Sequence, residues 1–509
     1  MVALTSKGED LNLDTHPLFF VSISRAFVRE CETMGLMDAA TAAQLDRAMD
    51  EISLTVFKSW DELFGMDRPA VEAFQLKAVK QRLEKLAPLV SALGNQMEEA
   101  GVTGIKTLDD VVPLLFPHTT YKAYPASLIE RSRFDHLTRW LSSVTSIDLS
   151  GVDASKCEGI DDWLGVLERS TPLLPFHTSG TTGKLSFYPR TTTESDLWGY
   201  HFIKLLQGFG NEPGVKLGFD GVRLPAISAA PKTGRFATQR LNVFLAKYVS
   251  PTPEQTYTMT GENLSADLQA LSGRVRMAQA KGELSSLTLT EGMRAALKRY
   301  IADQERGPQE VGKFFESILG ELRGKGVFIC GLATTYLDAA RYGASRGLHD
   351  VFDSTSLMTT GGGGKGTGLP ADWLEQIIAF TGIKDTLVLY GMTETTGMMK
   401  MCKEGYYHIP PVFIVYLLDP QTGALLPRTG TQTGRFACMD LLPSTYWGGI
   451  ISGDKVTVEW DRECPCGRKG AHIHRDITRY SEAITGDDKI TCAATIDNTD
   501  ASLQQLLGL

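Results

Sequence analysis

The sequence predicts an α/β protein: a core of mixed sheets and helices preceded by a helical N-terminal region. Three observations predict it. Residues 18 to about 145 carry apolar residues at three- and four-residue spacing, as amphipathic helices do. From about residue 170, short β-rich runs alternate with helical ones, the pattern of a partly parallel sheet with crossover helices. After Gly397 the chain becomes strand-rich.

In chain order, DAATAAQLDRAMDEISLTVF, PAVEAFQLKAVKQRLEKLAPLVSALGNQMEEA and SLIERSRFDHLTRWLSSV read as helices of the N-terminal region, residues 1–160. The core, residues 161–480, supplies the strands VRLPAISA, VFICG, SLMTT and TLVLYG. Between them stand the helices ESDLWGYHFIKLLQGF and TEGMRAALKRYIADQ. The strands FIVYLLD and GRFACMDLL follow. Residues 481–509 form a short tail.

Of the 509 residues, 42% are hydrophobic and 22% charged, ordinary values for a globular chain. The net charge of −9 gives no reason to expect a nucleic-acid or anionic-membrane surface. No run of about 18 apolar residues is present, and the N-terminus lacks an unbroken apolar stretch, so a cytosolic protein without a membrane span is expected. Eight cysteines are too sparse for a disulfide scaffold. Cys31, Cys157, Cys330 and Cys438 read as small buried hydrophobes.

Three loops have the composition of a nucleotide site. The first, HTSGTTGKLSFYPRT, sets Thr178, Ser179, Thr181 and Thr182 around Gly180 and Gly183 and adds Lys184. Glycines turn backbone N–H groups toward a phosphate, hydroxyls add donors, and lysine adds charge. The preceding LLPF and following TTESDLWGY place it between a strand and a helix. It is not a Walker A loop, since Leu185 stands where Ser or Thr is needed. The second, LMTTGGGGKG, includes Gly361, Gly362 and Gly363; it offers a flat face to an adenine ring, or is a plain flexible loop. In the third, LVLYGMTETTG, Tyr390 ends a buried strand before Gly391, Thr393 and Glu394. Tyr390 can stack on a purine, and Glu394 can hold Mg²⁺ on triphosphate oxygens. Thr393 and Glu394 equally suit a helix N-terminus.

These loops, in this order, resemble the adenylate-forming superfamily of acyl-CoA ligases, adenylation domains and luciferases. The resemblance implies that Thr178 to Lys184 hold phosphate and Gly361 to Gly364 line the adenine. It also implies that Tyr390 stacks on that ring, Thr393 meets the α-phosphate and Glu394 binds magnesium. SGDKV adds Asp454, similar to an aspartate that grips both ribose hydroxyls. RDITR adds Arg479, similar to a hinge arginine. The YYHIPP and CPCGRKG segments bring the chain nearest the acyl-protein synthetases that feed bacterial luciferase, with likeness to phenylacetate-CoA ligases. Most of the superfamily carries a C-terminal lid domain with a catalytic lysine. Here 30 residues follow Arg479, too few for such a domain. Lys489 is the sole lysine of that tail, and no lid lysine is assigned to it.

Cys402 with His408, and Cys464 with Cys466, have the residue types and loop spacing of a closed, structural Cys₃His zinc site. The alternative is a tight CPCG hairpin with free thiols. His472 and His474 are rival ligands, although alternation along AHIHRDI suits a strand. Cys492 resembles in position the cysteine that accepts the acyl group in acyl-protein synthetases; otherwise it is incidental. The expected activity is ATP-dependent activation of a carboxylic acid, a fatty acid by resemblance, with transfer to a protein cysteine. Transfer to coenzyme A is the first alternative, and a non-catalytic nucleotide-binding scaffold is the second.

Overall fold

The computed structural model describes residues 60–178, 184–206, 222–228, 230–258, 263–284, 287–331, 333–361, 369–384 and 386–480. Its helices are α1 (Trp60–Phe64), α2 (Arg68–Leu86), α3 (Ser91–Ala100), α4 (Ala126–Glu130), α5 (Phe134–Ser142), α6 (Ile160–Ser170), α7 (Thr192–Leu205), α8 (Ala237–Tyr248), α9 (Ala266–Lys281), α10 (Glu291–Leu322), α11 (Ala333–Ser345) and α12 (Trp373–Thr381). The run expected as one helix over SLIERSRFDHLTRWLSSV is two, α4 and α5. The break falls at Ser132, whose φ of 51° is left-handed and cannot continue a right-handed helix. The expected helix DAATAAQLDRAMDEISLTVF lies outside the described residues.

Two sheets carry the core. The first contains β4 (Ala226–Ser228), β6 (Thr256–Thr258), β8 (Phe328–Gly331), β9 (Leu357–Gly361), β10 (Thr386–Tyr390) and β11 (Met399–Lys400), in the order β11-β10-β9-β8-β4-β6. All neighbours are parallel except β10 and β11. Alternation along these strands feeds two cores: Phe328 and Leu357 join one, Ile329 and Met358 the other. The second core is closed by α10, α11 and α12, through Phe314, Leu337 and Phe380 among others. The mixed α/β class expected from the sequence is therefore what forms, down to the partly parallel sheet.

The second sheet contains β12 (Tyr406–His408), β13 (Phe413–Leu418), β14 (Thr431–Asp440), β15 (Gly449–Glu459) and β16 (His472–His474), in the order β12-β16-β15-β14-β13. Two short strands also pair with β15: β1 (Phe116–Pro117), parallel, and β17 (Thr478–Arg479), antiparallel. Two further pairs stand apart, β2 (Phe176–His177) with β3 (Phe187–Tyr188), and β5 (Thr233–Gly234) with β7 (Asn263–Leu264). Residues 60–160 contribute to the same large hydrophobic core as the second sheet, with Trp60, Leu83, Phe134 and Leu141 among its members. Among the described residues no helix is long and apolar enough to cross a membrane.

The segment leading into the glycine–threonine loop is anchored by an exchange of caps. Asp267 accepts the amides of Ile160 (2.9 Å) and Asp161 (3.0 Å), in the first turn of α6. Asp161 in turn accepts the amides of Ala266 (3.1 Å) and Asp267 (3.2 Å), in the first turn of α9. Each carboxylate thus satisfies donors that the other's helix leaves open. A Cβ at Gly159 would sit 2.5 Å from Asp267 Oδ2, so only glycine allows the approach. Burial, then the charge of Asp161, pushes the Asp267 carboxyl up, while the two amides oppose this. Arg235 reaches Asp161 (3.3 Å) and Glu168 (2.9 Å), balancing the cluster. A raised carboxyl binds more protons folded than unfolded, so this group's contribution to stability falls as pH rises from about 3.9 toward neutrality. Thermal midpoints across that window are expected to fall more steeply for the native chain than for Asp267→Asn. Equal slopes would show that Asp267 titrates normally.

Candidate active site between the two sheets

Parallel sheets place ligands at the carboxyl ends of their strands. Here β9 ends at Gly361 and β10 at Tyr390, side by side, with Leu389 opposite Gly361. The second and third loops of the sequence therefore start from neighbouring strands. The third is a turn between β10 and β11, with no helix following, so Thr393 is not a helix cap. Two glycines of this turn are demanded by packing. A Cβ on Gly391 would lie 2.6 Å from Met398, and one on Gly397 would lie 2.5 Å from the Phe413 ring.

The second sheet meets this edge. Tyr390 donates its hydroxyl to Asp454 Oδ2 at 2.9 Å, and Arg479 Nε donates to Asp454 Oδ1 at 3.1 Å. Asp454 and Arg479 face each other because β17 pairs with β15 in that register. Two donors, 64 and 25 positions away in sequence, so converge on one buried carboxylate. Burial, then Asp454, raises the Tyr390 phenol well above its ordinary value, so it stays a donor. Tyr390's ring stands edge-on to Phe436 at 5.5 Å. Glu394 lies half-buried in the adjoining turn. Withdrawal from water raises its carboxyl, against its own backbone amide, Arg479 and His118, which draw it back.

His118 was not foreseen. It follows β1, and its amide bonds Ile451 O at 3.1 Å, which carries it alongside β15 toward Glu394. Nothing in its local sequence, within a segment read as helical, marks it.

The first loop departs from its expected setting. It connects β2 to β3 in a hairpin, and the helix α7 starts only after β3. Thr178 closes the hairpin: its amide reaches Ser186 O at 3.1 Å and its hydroxyl accepts the Ser186 amide at 3.0 Å. Lys184 Nζ rests 4.6 Å from the centre of the Tyr124 ring. Burial, and then Lys122, lowers the Lys184 ammonium from its usual value. Behind the loop, Tyr188 is fully buried and its phenol is raised by that burial and by Glu394. This hairpin therefore backs onto the Glu394 turn. Ser179, Gly180, Thr181, Thr182, Gly183, Gly362, Gly363, Lys489 and Cys492 lie outside the described residues.

A second cluster draws on the β11–β12 segment and the loop between β15 and β16. Cys402, His408, Cys464 and Cys466 bring four ligand atoms within 4.8 Å of one another. Cys402 Sγ lies 3.8 Å from Cys464 Sγ, and Cys466 Sγ lies 3.2 Å from His408 Nε2. Burial, with Arg468 and His472, pushes the His408 imidazole down to about 2, so it is neutral and has a lone pair to give. Burial raises the Cys402 and Cys464 thiols. His472 and His474 are on β16, as alternation suggested, with His474 near Glu459 at 3.2 Å.

No family model matches the chain, and no curated protein matches it. Among solved structures, an open conformation of 2-hydroxyisobutyryl-CoA ligase in complex with 2-HIB-AMP and CoA is similar to it. That match covers 87% of this chain and 92% of that one, at 11% identity and a TM-score of 0.41. ATP-bound MatB from Rhodopseudomonas palustris is similar over 59% of this chain and 46% of that one, at 16% identity and a TM-score of 0.31. The luciferase-like enzyme from the nonluminescent Zophobas morio mealworm is similar over 60% and 56%, at 12% identity and a TM-score of 0.30.

Proposed function

We propose that this chain activates a carboxylic acid with ATP, as an adenylate-forming ligase of the acyl-protein synthetase kind. The observation that carries this is the convergence of Tyr390, Asp454 and Arg479 beside Glu394, at the carboxyl edge of a parallel sheet. An acceptor-only carboxylate suits a pair of ribose hydroxyls. An aromatic ring at a strand end suits a purine face.

In the proposed reaction a substrate carboxylate oxygen attacks the α-phosphorus in line. A bond to that phosphorus forms, the bond to the bridging β-phosphate oxygen breaks, and pyrophosphate leaves with the electron pair. Lys184 and Arg479 balance the charge that develops on the phosphate oxygens. Holding the reactants in line supplies much of the acceleration. Glu394 would hold Mg²⁺, being a hard oxygen ligand beside the phosphate-binding turn; when bound, Mg²⁺ neutralises triphosphate charge. The acyl group then passes to a thiol, which we assign to Cys492, with loss of AMP. A fatty acid is the substrate class that this reading favours.

Cys402, His408, Cys464 and Cys466 would hold a structural zinc ion. A tetrahedron with Zn–S of about 2.3 Å and Zn–N of about 2.1 Å has ligand–ligand edges of roughly 3.6–3.8 Å. The 3.8 Å sulfur pair and the 3.2 Å sulfur–nitrogen contact are close to that cage. When bound, zinc would keep these buried thiols ionised.

The test is carboxylate-dependent ATP–pyrophosphate exchange over fatty, aryl and amino acids. Exchange with one acid class is expected. Cys492→Ser should keep that exchange but lose a hydroxylamine-labile acyl group on the protein. Retained labelling would remove Cys492 as acceptor, and acyl-CoA formation would move the acceptor to coenzyme A. ATP binding without exchange for any acid would overturn the enzyme reading in favour of a scaffold.

A further inference from the structure

Glu394 sits in a turn whose peptide groups are gripped by two buried charges. Arg190 is completely buried. It donates to the carbonyl of Thr393 at 2.9 Å and to the carbonyl of Thr395. These are the carbonyls on either side of Glu394. On the other flank, Asp440, also completely buried, accepts the amides of Thr396 and Gly397, the latter at 2.9 Å. The opposite oxygen of Asp440 accepts the Leu442 amide at 2.9 Å.

We propose that Arg190 and Asp440 are positioning residues that hold the Glu394 turn in its metal-binding shape before any ligand arrives. The inference rests on the reading of Glu394 as a magnesium ligand. Four of the five positions 393–397, namely 393 and 395 through carbonyls and 396 and 397 through amides, are held by these two side chains, which fixes three peptide groups. Hydrogen bonds to ionised groups are about twice as strong as neutral ones, so the grip is firm. Carbonyls attract a guanidinium and amides attract a carboxylate, so each peptide plane is held in one orientation. A metal-binding carboxylate must be held to within roughly 0.5 Å to act, and the supporting groups decide whether it is.

Arg190 also links the turn to the first loop. It lies two residues past the end of β3, the strand that leaves that loop, and packs on the Phe176 ring at 4.3 Å. Its Nε reaches the Tyr446 hydroxyl at 3.4 Å, and the same hydroxyl meets Thr396 Oγ1 at 3.3 Å. Tyr446 is in turn set by its neighbours: Glu194 accepts the amides of Ser444 (2.7 Å) and Thr445 (2.8 Å). The exit of the phosphate-type loop and the Glu394 turn are thus parts of one hydrogen-bonded unit. Arg190 stands near the end of the HTSGTTGKLSFYPRT segment and Asp440 ends the strand GRFACMD, and neither residue type marks a positioning role in the sequence.

The experiment compares the native chain with Arg190→Lys and Asp440→Asn. Lysine keeps the charge but lacks the planar guanidinium whose Nη2 reaches both carbonyls while its Nε reaches Tyr446. Asparagine keeps the shape but replaces one acceptor oxygen by a donor. In pyrophosphate exchange, both variants should need roughly 10- to 100-fold more Mg²⁺ for half-maximal rate, with the rate recovering as Mg²⁺ is raised. A fall in maximal rate with unchanged Mg²⁺ dependence would overturn the proposal. Amide hydrogen exchange without ligand supplies the second readout. The amides of Thr396 and Gly397 should exchange at least about tenfold faster in both variants, with protection in α7 and β13 kept. Unchanged protection at those two amides would overturn the clamp. If the native chain shows no pyrophosphate exchange, the adenylation reading falls, while the hydrogen-exchange result still decides whether the turn is clamped.

Discussion

Asp454→Ala is expected to lower carboxylate-dependent pyrophosphate exchange by roughly two orders of magnitude. Asp454 is almost fully buried and is the shared acceptor of Tyr390 and Arg479. Truncation removes both bonds at once. It leaves the Arg479 guanidinium, whose side chain is 18% exposed, without its carboxylate. Breaking a fully buried pair costs about 3–5 kcal/mol, and partial exposure of the arginine reduces that figure. The Tyr390 hydroxyl would lose its acceptor as well, freeing the ring that the reading places on adenine. The loss should fall mainly on KM for ATP if Asp454 grips the nucleotide in ground and transition states alike. Asp454→Asn, which keeps the shape and one acceptor oxygen, should lose less. Retention of exchange within about threefold in Asp454→Ala would sink the assignment of this carboxylate to the nucleotide.

Cys464→Ser is expected to release one zinc per chain and to lower the thermal midpoint by on the order of 10 °C. The cluster joins two stretches far apart in sequence: the β11–β12 segment with Cys402 and His408, and the loop between β15 and β16 with Cys464 and Cys466. It also seats the described N-terminal helix. His408 meets Phe64 edge-on at 5.8 Å, Arg468 lies 5.7 Å from the Phe64 ring centre, and the Lys469 amide bonds Phe64 O at 3.0 Å. Losing one ligand should therefore loosen both sheet edge and helix α1. Metal analysis and thermal melting, with and without a chelator, read this directly. A native chain without bound zinc, or a Cys464→Ser chain with unchanged melting, would leave the cluster as a set of buried thiols.

The α/β class was legible because its two signals are local. Apolar residues at helical spacing predicted α2, α7 and α10, and short apolar runs predicted β8, β9, β10 and β13. The candidate site was legible where chemistry is concentrated in a short string. The YGMTE turn and the paired cysteines announce themselves by composition. The break between α4 and α5 was not legible, because a helical pattern continues across it. A single left-handed residue, Ser132, interrupts the chain without changing the spacing of apolar side chains.

By itself, the sequence determined which residues are available for chemistry: a hydroxyl–glycine loop with Lys184, the turn with Tyr390 and Glu394, and the carboxylate Asp454 with Arg479. It also offered the four clustered cysteine and histidine side chains. Only the tertiary structure decided what surrounds them. The 454–479 pairing is set by the register of β15 against β17, and the Tyr390–Asp454 bond by the meeting of two sheets. Asp440 and Arg190 acquire their roles by burial against one turn, and His118 by a two-residue strand laid along β15. The physical reason is range. Propensity and periodicity act over a few residues, whereas a buried charge takes its partner from whatever the packed chain brings within about 3 Å.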